Sequence, residues 1–330
     1  MTIESLNLDV DKRRGKAFGW PAELTYLAAE GTDAVDVTIG FAESVSDNVW
    51  RRTDPWGMAF VYEVQKRTNK PVRLKFSVRD PGQIDKCQYE AFRRRVSYLA
   101  ESNKLQVTLS RGGVADELYS IDALSHRPDT EVIRTDFTER GDDDTVGRLE
   151  KDFQAYLFGK GLHEEGDPET PRTNDRLALF GDDFAGIAKL KSGKNEKGLQ
   201  VEREFPTGVF DKQVKEACRI LSTEFVDLVT LNKHRQLAVI EIKFDDSKLE
   251  VISQVLNYAL YFYSYRAKLT PLLDEKLECD TASLELVTYL VSNAFHKKFN
   301  EVWPYYTRGP LTIKQVIMGY MPDSEHAAAA

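Results

Sequence analysis

The chain has 330 residues, of which 42% are hydrophobic and 30% are charged, enough for one large globular domain or two of ordinary size. The 53 Asp and Glu residues outnumber the 45 Lys and Arg residues, which excludes a general electrostatic attraction to nucleic acid but leaves room for a local basic surface. Three scattered cysteines and five dispersed histidines indicate neither a disulfide framework nor a zinc site. Because no apolar run can span a bilayer and no secretory segment is evident, we expect a cytoplasmic protein without a membrane partner.

The first part of the chain, residues 1–137, combines short predicted strands with one clear helix. The helix is predicted over about 85–102, where Phe92, Val96 and Leu99 have the spacing of a buried helical stripe. The strand candidates are bounded by turn signals and read VDVTIGF, PVRLKFSV, KLQVTLS and DELYSI. These elements predict an α+β domain over 1–137.

A polar, glycine-containing stretch, residues 138–144, is predicted to link this domain to a second one at 145–330. The second domain is predicted to begin with a helix at 145–158 and to continue through an irregular segment at 162–198. The elements that follow in chain order are a strand LQVEREF, a helix around 209–220, a hairpin, a helix at 247–268, a strand LELVTYLVS, a helix from about 295 and a strand LTIKQVIMGY. This alternation predicts an α/β domain in which helices cover a mixed sheet.

The hairpin FVDLVTLNKHRQLAVIEIKF, residues 225–244, carries charged residues inside two apolar runs. If NKHRQ forms the turn of an antiparallel pair, Asp227 lies directly opposite Glu241, with the two Cβ atoms about 4.5–5.5 Å apart. Lys243, two residues further along the strand, points to the same face of the sheet. The spacing therefore predicts two carboxylates and an ammonium group at one place.

Two carboxylates at that separation repel each other, and a shared divalent cation removes the conflict. Lys243 would then lie beside the metal, where it could orient a water molecule or a scissile phosphate for metal-assisted hydrolysis. In the alternative, both acids lie on a wet strand face and Lys243 is only their cross-strand salt-bridge partner. Within LAVIEIK, the residues before Glu241 are apolar on both faces of the strand. This pattern predicts a strand buried on both faces and so favours the metal site.

Polar residues on two predicted helices extend this pattern. Gln254 and Tyr258 are four residues apart and therefore neighbours on one helix face. Glu150 lies next to the apolar stripe of the helix at 145–158. Taken singly, each has a structural alternative: Gln254 and Tyr258 as the polar edge of an amphipathic helix, and Glu150 as a solvated acid in a first helical turn.

The order of these residues resembles the PD-(D/E)xK nuclease superfamily, which has the restriction-endonuclease-like fold. Asp227 matches the D of the motif, Glu241 the (D/E) and Lys243 the K. The sequence departs from the motif at Val226, which stands in the place of the proline. The resemblance covers roughly 145–293, under half of the chain.

Glu150 resembles the additional acid on the first helix of that superfamily, and Gln254 and Tyr258 resemble the Gln-xxx-Tyr element of its RecB-type branch. The resemblance implies an αβββαβ core and Mg²⁺-dependent cleavage of nucleic acid, usually DNA, with Mn²⁺ as a substitute. The metal ligands that it implies are Asp227, Glu241 and Glu150. Restriction, phage defence and DNA repair are roles associated with this fold.

A run of arginines in the predicted helix at 85–102 is the candidate nucleic-acid contact. Arg93, Arg94 and Arg95 are expected around its exposed side, and the stretch NVWRRTDPWG adds Arg51 and Arg52 between two tryptophans. Basic residues interleaved with aromatic ones suit contacts to phosphates and bases. The alternative, a solvated charged face over a core, is the interpretation that the pattern favours.

Two functional hypotheses from different classes result. The first is a metal-dependent nuclease, with DNA as the expected partner, whose region 1–137 serves recognition, regulation or assembly into a homo-oligomer. The second is a non-catalytic nucleic-acid-binding or assembly protein that retains the nuclease fold. The simultaneous presence of Asp227, Glu241 and Lys243 favours the enzyme, since a binding protein does not need all three.

Overall fold

The computed structural model describes residues 6, 20–41, 49–78, 85–135, 157, 175–188, 190–191, 199–244 and 248–318. Over these residues the chain is a mixed α/β protein with six α-helices and several sheets. Among them, none of the helices combines the length and the apolar character that crossing a membrane requires.

The N-terminal region forms a five-stranded mixed sheet with two helical crossovers. Its elements are β1 (Leu24–Glu30), β2 (Val35–Phe41), α1 (Val49–Thr68), β3 (Val72–Val78), α2 (Lys86–Ser102), β4 (Gln106–Arg111) and β5 (Val114–Asp116). The strand order is β1-β2-β3-β4-β5, with parallel pairing of β2 with β3 and of β3 with β4. Parallel neighbours need a crossover, and α1 and α2 supply it.

Helix α1 has no counterpart among the predicted elements. Its polar start and the internal Pro55 hide the periodicity of Trp56, Phe60 and Val64, which are buried. The helix packs closely on β3 at Gly57, because a Cβ atom there would lie 2.9 Å from the Cζ of Phe76. Strand β1 was also not predicted, whereas the strands VDVTIGF and PVRLKFSV and the helix at 85–102 are confirmed.

A connecting part of the chain contains short elements. They are α3 (Ile121–Ser125), β6 (Glu131–Ile133), β7 (Leu190–Lys191), β8 (Leu199–Gln200), β9 (Glu202–Pro206), β10 (Val209–Asp211) and β11 (Arg219–Leu221). Two predictions are wrong here. The DELYSI segment leads into α3, because the side chain of Ser120 caps that helix. The helix predicted around 209–220 is replaced by β10 and β11, since Val209 and Phe210 pair with β6.

A second five-stranded sheet carries the predicted hairpin. Its further elements are β12 (Phe225–Leu231), β13 (Leu237–Lys243), α4 (Val251–Ser264), α5 (Arg266–Leu277), β14 (Leu286–Ser292), α6 (Phe299–Tyr306) and β15 (Thr312–Ile317). The strand order is β15-β14-β13-β12-β9, antiparallel from β9 to β13 and parallel from β13 to β15. Six of the seven β13 residues are buried, which confirms the prediction of a strand buried on both faces. The predicted helix at 247–268 is two helices, because α4 ends at Ser264, Tyr265 caps it, and α5 begins at Arg266.

The two sheets enclose a shared layer of helices. Helices α1 and α2 pack on β3 and β4 and also on α4, which in turn packs on β13 and β14. One hydrophobic cluster accordingly contains Val35 and Phe76 from the first sheet, Leu256 from α4 and Leu290 from the second sheet. The division into domains at 138–144 stays a prediction, because that segment lies outside the described residues.

Candidate active site

The hairpin register places the predicted carboxylates side by side. Leu228 pairs with Ile240, and the register continues to Leu231 opposite Leu237, which confirms the predicted alignment of β12 with β13. Continuing this register by one residue puts Asp227 across from Glu241, and the two side chains share a hydrogen bond. The backbone N–H of Ile242 donates to Asp227 Oδ2 over 2.7 Å, so the Asp227 side chain is directed at β13.

Lys243 is held against Glu241 by its charge. Its Nζ lies 2.6 Å from Glu241 Oε1 and donates to the carbonyl oxygen of Ile242 over 3.2 Å. The Glu241 side chain is only 1% exposed and that of Lys243 is 13% exposed. Removing two charges from water costs free energy, and only a short contact between them and further hydrogen bonds offset that cost. The predicted side-by-side placement of Asp227, Glu241 and Lys243 is therefore present.

The carboxyl group of Asp227 is in an environment that disfavours its charge. Burial raises its pKa above the usual value, and the negative charge of Glu204 adds to this. The charge of Lys243, the N–H of Ile242 and a hydrogen bond with Glu241 act in the opposite direction without restoring the ordinary pKa. A cation bound here would stabilise the ionised form.

Glu204 is a third acid in the same row of the sheet, which the sequence analysis did not single out. On β9, Phe205 pairs with Val226 and Arg203 pairs with Leu228. The register, continued across the one position without a ladder pair, puts Glu204 across from Asp227, and the charge of Glu204 acts on Asp227. Its φ of 51° is in the left-handed region, which is unusual for a residue inside a strand. The row Glu204, Asp227, Glu241 crosses three neighbouring strands.

Gln254 and Tyr258 hold the strand that carries Asp227. Tyr258 Oη donates to the carbonyl oxygen of Phe225 over 2.9 Å, and Gln254 Nε2 donates to Tyr258 Oη over 2.8 Å. Burial raises the pKa of the Tyr258 hydroxyl well above its usual value, and the charges of Glu241, Glu224 and Asp227 raise it further. The pair therefore lies beside the carboxylates and fixes the start of β12.

Arg51 is a second residue near the site that the hairpin pattern did not indicate. It comes from α1, and its Nη2 lies 2.5 Å from Glu224 Oε1. Glu224 directly precedes Phe225, whose carbonyl oxygen binds Tyr258. Only the packing of α1 on α4 brings this guanidinium to the second sheet, so local sequence spacing could not reveal it.

The predicted arginine surface on α2 is wrong for two of its three residues. Arg94 and Arg95 are buried, because α2 lies between the first sheet and α4, and they pair with Glu131 and Asp54 respectively. Their guanidinium groups cannot reach a phosphate. Arg93 is partly exposed but donates to the carbonyl oxygen of Glu117 and to Tyr119 Oη. For Arg93 the contact to nucleic acid stays a prediction.

Asp227 and Glu241 are the residues that could hold a metal ion, and Glu204 lies nearby. The described part of the chain contains no group of three or more His, Cys, Asp or Glu side chains in metal-binding geometry. Glu150, the third predicted ligand, lies outside the described residues. A pair of carboxylates with the remaining positions taken by water and substrate is nevertheless a common way to bind Mg²⁺.

Comparison with known sequences gives no family for this chain: no protein-family model matches it, and no curated protein matches it. The functional assignment therefore rests on the arrangement of the side chains described above.

Proposed function

We propose that the chain is a metal-dependent nuclease that hydrolyses phosphodiester bonds of nucleic acid, most simply those of DNA, with Mg²⁺ or Mn²⁺ as the metal. The observation that carries this proposal is the juxtaposition of Asp227 and Glu241 on neighbouring strands, with Lys243 Nζ 2.6 Å from Glu241 Oε1. Acids on two strands and a lysine beside them form a combination suited to phosphodiester hydrolysis. An endonuclease of restriction, phage defence or repair is the kind of enzyme that the resemblance suggests.

The second sheet supports a restriction-endonuclease-like core. Three strands that are neighbours in the sheet, β9, β12 and β13, are antiparallel, with the short strands β10 and β11 inserted in the chain between β9 and β12. After β13 come helices α4 and α5 and then β14, which is parallel to β13. This succession agrees with the βββαβ part of the αβββαβ core. The helix expected before it falls on residues that the structure does not describe, apart from Leu157.

The carboxylates of Asp227 and Glu241 would hold the metal between β12 and β13. The juxtaposition of the two carboxylates supports this assignment, and the negative charge of Glu204, which acts on Asp227, also favours a cation there. When bound, Mg²⁺ supplies polarisation of a phosphoryl oxygen and a water of lowered pKa.

The chain's own groups would orient the reactants. The ammonium of Lys243 is fixed by the Glu241 carboxylate and the Ile242 carbonyl oxygen, beside the carboxylates, where it would orient the attacking water or stabilise the negative charge of the phosphate. Gln254 and Tyr258 contribute by positioning, since their hydrogen bonds fix Phe225, two residues before Asp227. Their loss is expected to displace Asp227 rather than remove a ligand.

A non-catalytic binding or assembly protein is the second candidate. The 2.6 Å pair of Lys243 and Glu241, with Glu241 almost fully buried, is the observation in its favour, because a structural salt bridge has the same geometry. Asp227 distinguishes the two candidates. A protein that used only the ion pair would gain nothing from a second acid placed against Glu241.

The proposal is tested by incubating the protein with supercoiled plasmid, linear duplex DNA, single-stranded DNA and RNA, with Mg²⁺, Mn²⁺ or EDTA. We expect divalent-ion-dependent cleavage that disappears in Asp227→Asn and in Glu241→Gln. Asp183→Asn is the matched control, because Asp183 is a partly buried acid that binds Tyr289 and Lys314 elsewhere on the same sheet. Cleavage by both site variants at the rate of the control would overturn the assignment.

A further inference from the structure

Arg51 and Arg52 are neighbours on α1 that are similarly exposed to solvent but differ in their hydrogen-bond partners. Their side chains are 29% and 31% exposed. Arg52 binds two carboxylates, those of Glu23 and Glu250. Within the described part of the chain, one hydrogen bond is recorded for Arg51, from Nη2 to Glu224 Oε1. A guanidinium has five N–H donors in a planar fork, so Arg51 keeps donors available to a further partner.

The surroundings of Arg51 are those of the candidate active site. Burial by itself would lower the pKa of its guanidinium, but the carboxylate of Glu224 raises it above the ordinary value, and Tyr258 and Glu241 add to this. Arg51 is therefore in electrostatic reach of Glu241, one of the two expected metal ligands. Its charge acts on the site from the side of α1, whereas that of Lys243 acts from β13.

Glu224 gives Arg51 a fixed position. The backbone of Glu224 is bound twice by Thr207, whose N–H and hydroxyl both donate to the Glu224 carbonyl oxygen over 2.9 and 3.2 Å. The next residue, Phe225, is bound by Tyr258. One edge of the Arg51 guanidinium is thus held by an anchored carboxylate while part of the side chain stays open to solvent. Arg51 is therefore fixed in position and still has N–H groups that can donate to a ligand.

We propose that Arg51 is a substrate-binding residue of this site and that it contacts a phosphate group of the nucleic acid next to the scissile bond. The inference rests on the proposed function, since it assumes a nucleic-acid substrate at Asp227 and Glu241. Arginine suits the task because its fork can donate two parallel hydrogen bonds to one phosphate. The N-terminal region then contributes directly to the active site through α1.

The test measures DNA binding and cleavage of Arg51→Ala, Arg51→Lys and Arg52→Ala. Binding of a short fluorescein-labelled duplex is followed by anisotropy over a range of salt concentrations, with Ca²⁺ in place of Mg²⁺ to slow cleavage. We expect Arg51→Ala to weaken binding by roughly tenfold or more and to reduce the slope of log affinity on log salt by about 0.9. Arg51→Lys should keep the salt slope but not the full affinity, and Arg52→Ala should match the wild type in both.

Glu224→Gln separates substrate binding from a structural role. If Arg51 serves only to hold Glu224, then Glu224→Gln and Arg51→Ala should lose stability and cleavage to the same extent, and the proposal is overturned. If Arg51 binds phosphate, Glu224→Gln keeps the salt slope of the wild type, and Arg51→Ala alone lowers it. If the wild type binds and cleaves DNA and Arg51→Ala does so with the same affinity, salt slope and rate, only the Arg51 proposal is overturned. A wild type that neither binds nor cleaves any of the nucleic acids overturns the proposed function as well.

Discussion

The molecule contains one fully buried and one partly buried group of charges, and the two groups differ in how their charges are compensated. In the first, Asp54 and Arg95 are fully buried between α1 and α2, with Arg95 Nη2 2.9 Å from Asp54 Oδ1. Asp54 Oδ2 also accepts hydrogen bonds from Ser253 Oγ and Tyr306 Oη, and Arg95 Nη1 donates to Asn257. One acid faces one base, and hydroxyl and amide groups bind the atoms that remain.

The second group, Asp227, Glu241 and Lys243, places two acids with one lysine. Glu204 adds a further negative charge that acts on Asp227. The pKa of Asp227 stays raised in spite of Lys243, chiefly because the carboxyl group is buried. By count, the three acids outnumber the one lysine. Buried charges that balance are typical of structure, whereas an excess of one sign is typical of a site that binds the opposite charge.

Helix α4 connects the two groups. Ser253 and Asn257 bind the Asp54–Arg95 pair, while Gln254 and Tyr258, each one residue further on, face the start of β12. The balanced group therefore fixes the helix that positions the unbalanced one. We therefore expect substitutions in the first group mainly to lower the stability of the protein and substitutions in the second group mainly to abolish its function.

The largest effect on stability is expected for Asp54→Ala. It leaves the guanidinium of Arg95 buried without its carboxylate, which should lower the free energy of unfolding by about 3–5 kcal/mol. Urea denaturation measures the change, with Asp36→Ala as the control, because the ion pair of Asp36 with Arg73 is exposed. Equal stability of the two variants would contradict the structural role of Asp54.

A smaller loss of stability is expected for Lys243→Met, which leaves two acids without their cation. We predict a decrease of about 1–3 kcal/mol in the absence of divalent ions and loss of cleavage. Because a metal ion would replace the missing charge, Mg²⁺ should raise the melting temperature of Lys243→Met more than that of the wild type. No rise with Mg²⁺ in either protein would favour the simple salt bridge.

The smallest effect is a pH-dependent stabilisation in Asp227→Asn, measured in EDTA. Since burial raises the pKa of Asp227 in the folded protein, its proton contributes stability that is fully present below the unfolded-state pKa of about 3.9. That contribution is lost as the pH rises through the folded-state pKa. Asn keeps an acceptor for the Ile242 N–H and carries no charge. The variant should thus gain stability relative to the wild type between acid and neutral pH, as measured by urea denaturation at several pH values. A relative loss of stability towards neutral pH would contradict the raised pKa.

The sequence could predict the centre of the site because its geometry is local. The turn between Leu231 and Leu237 determines which residues of β12 and β13 face each other, and strand periodicity then places Lys243 next to Glu241. The four-residue spacing of Gln254 and Tyr258 likewise puts both on one helix face. For these residues, short-range rules suffice.

The remaining parts depend on contacts between distant segments. Glu204 enters the row only because β9 pairs with β12, and Arg51 only because α1 packs on α4. The arginines of α2 have a polar helical pattern, but the packing of α2 on α1 and α4 buries Arg94 and Arg95. Their acidic partners are Glu131 of β6 and Asp54 of α1. Hydrophobic periodicity cannot distinguish such a buried ionic face from a solvated one.

Direct measurement of divalent-ion binding tests the central claim, that Asp227 and Glu241 form a metal site. Titration of Mn²⁺ into the wild type, Asp227→Asn, Glu241→Gln and Asp183→Asn, followed by isothermal calorimetry, compares the two acids with a partly buried acid that contacts the same sheet at Tyr289 and Lys314. We predict one Mn²⁺ site in the wild type and in Asp183→Asn, and a strongly reduced affinity in the other two variants. Equal affinity in all four proteins, or no binding in the wild type, would contradict the account.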